Sequence, residues 1–142
     1  MPVRIRVRLR KGGAEVETSA LINSGFEADE PQIVLPMEVA RRLGLLERAR
    51  ALETFEVAGG GRAMGYRIAT PVEVRLVLPD RSPRAVSATA TVMPGEREVI
   101  ISDYLASELG LVLLDLRDGR WCLRDEVGRR ERRSASPEFW AE

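Results

Sequence analysis

The sequence predicts a mainly β fold with two short helices, and three observations carry that prediction. Residues 3–10 alternate without a break, with Val3, Ile5, Val7 and Leu9 on one face and Arg4, Arg6, Arg8 and Arg10 on the other, the period of a half-buried strand. Several β-branched apolar runs follow, each bounded by Gly, Pro or Asp turn residues. Only two stretches have helical spacing, and each stops at a glycine within a few residues. With 142 residues, 44% of them hydrophobic, the chain can fill one core but not two, so one main domain is expected.

After the first strand, Lys11-Gly12-Gly13-Ala14 is the turn. If Gly12 and Gly13 form a two-residue loop, Arg10 faces Glu15, Leu9 faces Val16 and Arg8 faces Glu17. The arginine row is then neutralised by its neighbour, which favours a solvated outer face over an anion-binding or nucleic-acid surface. The second strand runs through Leu21-Ile22 and delivers Asn23 at its end. Ile33-Val34-Leu35 reads as an apolar strand end, Pro36 as a helix start, Val39, Ala40 and Leu43 as a buried stripe, and Gly44 as the stop. The same pattern recurs 66 residues later, where Val99 to Leu111 aligns with Ile33 to Leu45 without a gap and Ala-x-x-Leu-Gly-Leu is identical in both. Two similar half-units about a pseudo-twofold are expected from that echo.

Between the halves, residues 54–58 and 62–68 flank Gly59-Gly60-Gly61, a hairpin with a conformationally loose tip, which by itself reads as a plain surface hairpin and beside a cleft would read as a mobile flap. Residues 72–78 and 85–92 form another strand pair around Pro79-Asp80-Arg81-Ser82-Pro83, and residues 112–116 and 121–123 a last hairpin around Gly119. The main domain is placed at residues 1–124. From Asp125 the apolar period disappears, so residues 125–142 read as a basic C-terminal tail, extended or frayed, which Phe139 and Trp140 dock onto a surface or a second subunit.

Composition removes several chemistries. Twenty-two basic and 22 acidic residues leave no global field to recruit nucleic acid or anionic lipid. The chain has no histidine, so Ser-His and Cys-His catalysis and His-ligated metals are unavailable to it. Its single cysteine, Cys122, forms no intrachain disulfide and reads as a buried thiol beside Trp121. No metal or other cofactor is expected. No apolar run approaches the roughly 18 residues needed to span a bilayer, and Met1-Pro2-Val3-Arg4 does not open a signal peptide. The expectation is a soluble cytoplasmic protein.

The segment Leu21-Ile22-Asn23-Ser24-Gly25, followed by Ile33-Val34-Leu35-Pro36, resembles the active-site segment of retropepsin-like aspartic proteases, with Asn23 where that family has its catalytic Asp. The likeness extends over residues 3–124 through the Gly-tipped hairpin and the second strand-helix ending Leu-Gly-Leu-Val-Leu-Leu-Asp. It implies a retropepsin-like barrel and a homodimer, each subunit supplying one loop to a cleft on the twofold axis. It also implies that Ser24 bonds across to the partner loop, that Gly25 permits the close turn, that Glu27 and Asp29 hold substrate backbone, and that Gly59, Gly60 and Gly61 form the flap tip. At Ile100-Ile101-Ser102 the family commonly has a Gly in place of Ser102, which here reads as a helix N-cap.

In such enzymes two aspartates share one proton, because two carboxylates in contact cannot both ionise. An amide at position 23 can orient a water but has no charge to activate it and no proton to shuttle. Deamidation of Asn23 would restore the acidic motif, and a rigid loop opposes it. Three functions follow: a silent protease-fold dimer binding an extended peptide or partner protein, a genuine aspartic endopeptidase in which Asn23 is an inactivating change, and an anion- or nucleic-acid-binding β protein using the first-strand arginines and the Arg129–Arg133 cluster.

Overall fold

The computed structural model describes residues 2–56, 61–68 and 70–141. Strand β1 (Arg4–Lys11) pairs antiparallel with β2 (Ala14–Ile22) in the register the Gly12-Gly13 loop dictates, Arg10 opposite Glu15, Leu9 opposite Val16 and Arg8 opposite Glu17. On the outer face Arg8 reaches Glu17 at 3.0 Å and Glu15 at 3.7 Å and Arg6 reaches Glu17 at 3.1 Å, whereas Arg10, expected to meet Glu15, donates to Gly12 O at 3.4 Å. The inner face, Val3, Ile5, Val7 and Leu9, is sealed from solvent.

The remaining strands are β3 (Gln32–Leu35), β4 (Ala49–Glu56), β5 (Arg62–Ile68), β6 (Val72–Leu76), β7 (Val86–Val92), β8 (Val99–Ile101), β9 (Leu111–Asp115), β10 (Arg120–Leu123) and β11 (Arg132–Arg133), with helices α1 (Met37–Arg42) and α2 (Asp103–Glu108). The hydrogen-bonded order β3-β8-β2-β1-β6-β7 returns to β3 through a parallel β3–β7 ladder, which closes a six-stranded barrel. Closure removes the sheet edges and lets alternate residues of every strand fill one interior. That interior holds Ile33, Leu35, Val72, Val74, Leu76, Ala90, Val92, Val99 and Ile101, with Val39 of α1 and Leu105 of α2 packed against it. The β4–β5 hairpin branches from β7, and β9, β10 and β11 form a separate three-stranded sheet.

The sequence echo is a structural repeat. Val34 and Ile100, equivalent under the 66-residue offset, lie opposite each other in the antiparallel β3–β8 pair, so a pseudo-twofold passes between them. Each strand has a parallel partner, β7 for β3 and β2 for β8, and each runs into a six-residue helix. The helices end alike: Leu43 and Leu109 are αR caps, Gly44 and Gly110 adopt φ of 69° and 78°, and the bonds Gly44 N to Arg41 O and Gly110 N to Ser107 O correspond. The left-handed conformation explains why both stops are glycine.

From Asp125 the chain is extended for most of its length and is tied to its own domain. Arg132, almost fully buried, makes paired bonds to Glu126 (2.7 and 2.9 Å) and to Asp80 (both 2.9 Å). Burial of such an arginine is tolerable only with its charge met on both sides. Beyond β11, Ala135 N donates to Arg4 O, Glu138 N to Ser19 Oγ and Trp140 N to Arg97 O. The Trp140 ring packs on the barrel core, its Nε1 donates to Thr18 Oγ1 at 2.9 Å, and the Arg42 guanidinium lies 4.9 Å from the ring centroid. Cys122 is buried, which pushes its thiol pKa up, as for an inert core thiol.

Candidate functional site

Strand β2 ends at Ile22, and its ladder to β8 stops at Ile101, so the next residue leaves the barrel at one end. Asn23 N donates to Ile101 O at 3.4 Å and Phe26 N to Asn23 O at 3.0 Å, which fixes a tight turn. The half-buried Asn23 side chain folds back on that turn, Oδ1 accepting from Gly25 N at 3.0 Å, while Ser24 and Gly25 are exposed. This side-chain turn is what an Asn or Asp two residues before a free N–H forms readily. The pseudo-twofold gives it a counterpart: Leu35 pairs with Val92 as Ile101 does with Ile22, Met93 N donates to Leu35 O at 3.1 Å and Glu96 N to Met93 O at 3.1 Å. Met93-Pro94-Gly95 therefore occupies the place of Asn23-Ser24-Gly25 in the second half-unit, with an apolar side chain where the first half has an amide.

The link after the turn is pinned to the start of α2. Asp103 N donates to Phe26 O at 3.0 Å, Ala28 N to Asp103 Oδ1 at 3.2 Å, and Ser102 N to Gln32 O at 3.0 Å. Ser102, fully buried, accepts from both Leu105 N and Gln32 N at 3.1 Å, so it is the expected N-cap and a tether for the link as well. Between the link and α2 lies an open groove of about 620 Å³ lined by Glu27, Ala28, Asp29, Glu30, Gln32 and Asp103. Glu27 and Asp29 are exposed and line this groove; Asn23, Ser24 and Gly25 are at its start in sequence but not among its lining residues. Glu30 and Asp103 join them from the same link and from α2. The run Glu27-Ala28-Asp29-Glu30 marked the link as acidic, whereas the approach of Asp103 from 75 residues away had no local signal.

Among the described residues, no three His, Cys, Asp or Glu side chains are arranged to hold a metal ion. Gly61 is described and exposed, directly before β5, whereas Gly59 and Gly60 lie outside the described residues. The strands of that hairpin pair up to Glu56 opposite Arg62. Where it joins the barrel, Gly65 sits against β7 so closely that a Cβ there would lie 3.1 Å from Met93 Cγ, Thr91 Cγ2 and Val92 O.

The chain is similar in structure to the retroviral protease-like domain of Ddi1 from Leishmania major, with a TM-score of 0.56 and 15% sequence identity, over 96% of this chain and 95% of that one. The fold is retropepsin-like. No protein-family model matches the chain, and no curated protein matches its sequence. In this retropepsin-like barrel the turn at the end of β2 carries an amide that can accept from Gly25 N–H and donate through Nδ2, but cannot ionise. No helix among the described residues is long and apolar enough to cross a membrane.

Proposed function

We infer that this chain is a retropepsin-like scaffold that works as a cytoplasmic homodimer and binds an extended peptide or a partner protein's segment without hydrolysing it. The observation that carries this reading is Asn23 at the end of β2 of a retropepsin-like barrel, at the start of the link whose residues 27–30 and 32 line a groove. With an amide from each subunit, acid and base are both missing, and one positioned general acid–base group is worth roughly 100- to 10,000-fold. Binding survives that loss, because an extended peptide is held by strand-like main-chain bonds and side-chain pockets. In the dimer Ser24 would bond across to the partner loop, and Glu27 and Asp29 would take substrate backbone. The small sheet supports pairing with a second subunit. Strand β9 is the outer strand of the small sheet and displays Leu114 (42% exposed) beside half-buried Leu111, Val112 and Leu113, with Leu116 (60% exposed) in the turn that follows. An apolar outer strand of this kind invites another chain.

A second reading, a genuine aspartic endopeptidase for which Asn23 is an inactivating change, is favoured by the Gly25 N–H, which would hold a carboxylate as readily as it holds the amide oxygen. A nucleic-acid function is disfavoured because three of the four β1 arginines are engaged by carboxylates, Arg4 by Glu98, Arg6 by Glu17 and Glu138, and Arg8 by Glu15 and Glu17.

The test is cleavage of a mixed peptide library from acidic to neutral pH by the chain and by Asn23→Asp, with sedimentation of each and of Leu114→Lys. Cleavage by Asn23→Asp alone, and a dimer that Leu114→Lys splits, are the expected results. If both forms are folded dimers and neither cleaves, the protease origin of the cleft is wrong; a monomeric wild type removes the shared cleft.

A further inference from the structure

The Asn23 turn presents the components of an intramolecular acyl transfer. Ser24 is exposed, and its main-chain N–H makes no hydrogen bond among the described residues. Gly25 N–H donates to Asn23 Oδ1, which folds the side-chain carbonyl back over the peptide between residues 23 and 24. Asn23 Nδ2 is left without a partner among the described residues. The hydrogen bond to Oδ1 closes across the Ser24 amide, so the side chain is folded along the turn rather than held out from it.

We propose that Asn23 is a self-modification site, and that this turn promotes its deamidation to aspartate, so that the chain acquires the acidic group its fold lacks. Base removes the Ser24 amide proton, and the nitrogen attacks Asn23 Cγ to close a five-membered ring. The negative charge gathers on Oδ1, where the Gly25 N–H already points, the arrangement by which fixed donors lower such barriers. The base returns its proton to Nδ2 as the Cγ–Nδ2 bond breaks, and the nitrogen leaves as ammonia, giving a succinimide. Water then adds at Cγ and breaks its bond to the Ser24 nitrogen, leaving aspartate; overall, asparagine and water give aspartate and ammonia. Opening at the main-chain carbonyl would give isoaspartate and lengthen the main chain by one methylene. The bonds Asn23 N to Ile101 O and Phe26 N to Asn23 O hold the original path and favour the first opening.

The chemistry stands on the turn alone, whereas its consequence, a switch from silent to hydrolytic, rests on the function proposed above. Asn23 is the only asparagine of the chain and Gln32 the only glutamine, so a gain of one dalton is readily mapped. The purified chain is aged at pH 7 to 9, folded and in denaturing urea, and residue 23 is followed by peptide mass mapping with a probe that separates aspartate from isoaspartate. Conversion in the folded chain is expected to run roughly tenfold faster than in urea, below the roughly 100- to 1,000-fold worth of a buried oxyanion donor. It should rise with hydroxide and yield mainly aspartate. Gly25→Pro, which lacks the donor N–H, should fall to the urea rate; the native comparison decides the matter if that variant does not fold. Conversion no faster when folded, or isoaspartate as the main product, overturns the proposal. Aspartate that accumulates without any peptide cleavage supports it and sinks the hydrolytic reading instead.

Discussion

Trp140→Ala tests whether the C-terminal segment is a structural part of the domain. A tryptophan buries roughly 150–250 Å² when enclosed, and the half-buried Trp140 covers about two-thirds of that, or roughly 130 Å², worth about 3 kcal/mol at about 25 cal/mol per Å². Losing the Nε1 bond to Thr18 removes about 1 kcal/mol. The Arg42 contact adds about 0.5 kcal/mol, because that guanidinium is largely in water. Against these stands the freedom regained by the last few residues, about 1 kcal/mol or more. The net loss is about 3 kcal/mol, which for a domain of this size lowers Tm by about 9 °C. Trp140→Phe keeps most of the ring and loses the N–H, so it should cost about 1 kcal/mol, or about 3 °C. Calorimetry of the wild type, the two variants and a chain ended after Arg133 gives the ladder. A Trp140→Ala midpoint within about 2 °C of wild type would refute the reasoning, because the ring could not then be docked as described.

Acid should act through the ion pairs behind β11. Arg132, with help from the Leu123 N–H and Arg81, holds the Glu126 carboxyl at about 2, below its ordinary 4.5, and Arg132 lowers Asp80 likewise. The folded pKa being depressed, this stabilisation is full above pH 4.5 and is lost as pH falls towards 2; thermal midpoints should drop across that window, and Glu126→Gln should flatten part of the slope while lowering the midpoint at pH 7. Gly65→Ala forces a methyl group to within 3.1 Å of the Val92 carbonyl, which cannot rotate away, and should cost about 1–3 kcal/mol by denaturant titration; Met93→Ala should not rescue it. Ser102→Ala strips acceptors from Leu105 N and Gln32 N together and should cost about 2–3 kcal/mol, with faster proteolytic nicking of residues 26–32.

Local rules made the first hairpin legible. A period-2 strand, a two-residue Gly loop and opposite charges at matching distances leave one register, and the chain adopts it. The echo at 66 residues was legible because both half-units solve the same problem, ending a short helix through a left-handed glycine. The sequence did not disclose which strands meet: the parallel β2–β8 and β3–β7 ladders join residues far apart, and the apolar side chains that fill them would fit other partners equally well. Strand β4 begins at Ala49, five residues before the expected start at Thr54, because Ala49 to Glu53 alternates too weakly to read as strand without its partner β5. Asn23 stood out by residue type, whereas the groove needed two segments to be brought together. The basic stretch after Asp125 carries no apolar period because ion pairs, main-chain bonds and one tryptophan hold it.

The seal between the chain's two ends has a consequence for how the protein is made. Arg4 N donates to Ser134 Oγ across 130 residues of sequence, and Ala135 N returns a bond to Arg4 O, on the side of β1 that β6 leaves uncovered at that end. A ribosome releases β1 and β2 first, and they can pair at once. Their outer neighbours at the Asn23 end come only with β8 and residues 134–140. The nascent chain therefore carries a half-built barrel with open strand edges until those segments emerge, a state prone to wrong pairing. Folding yield in a cell-free system should depend on translation speed over residues 100–140 far more than over residues 1–30.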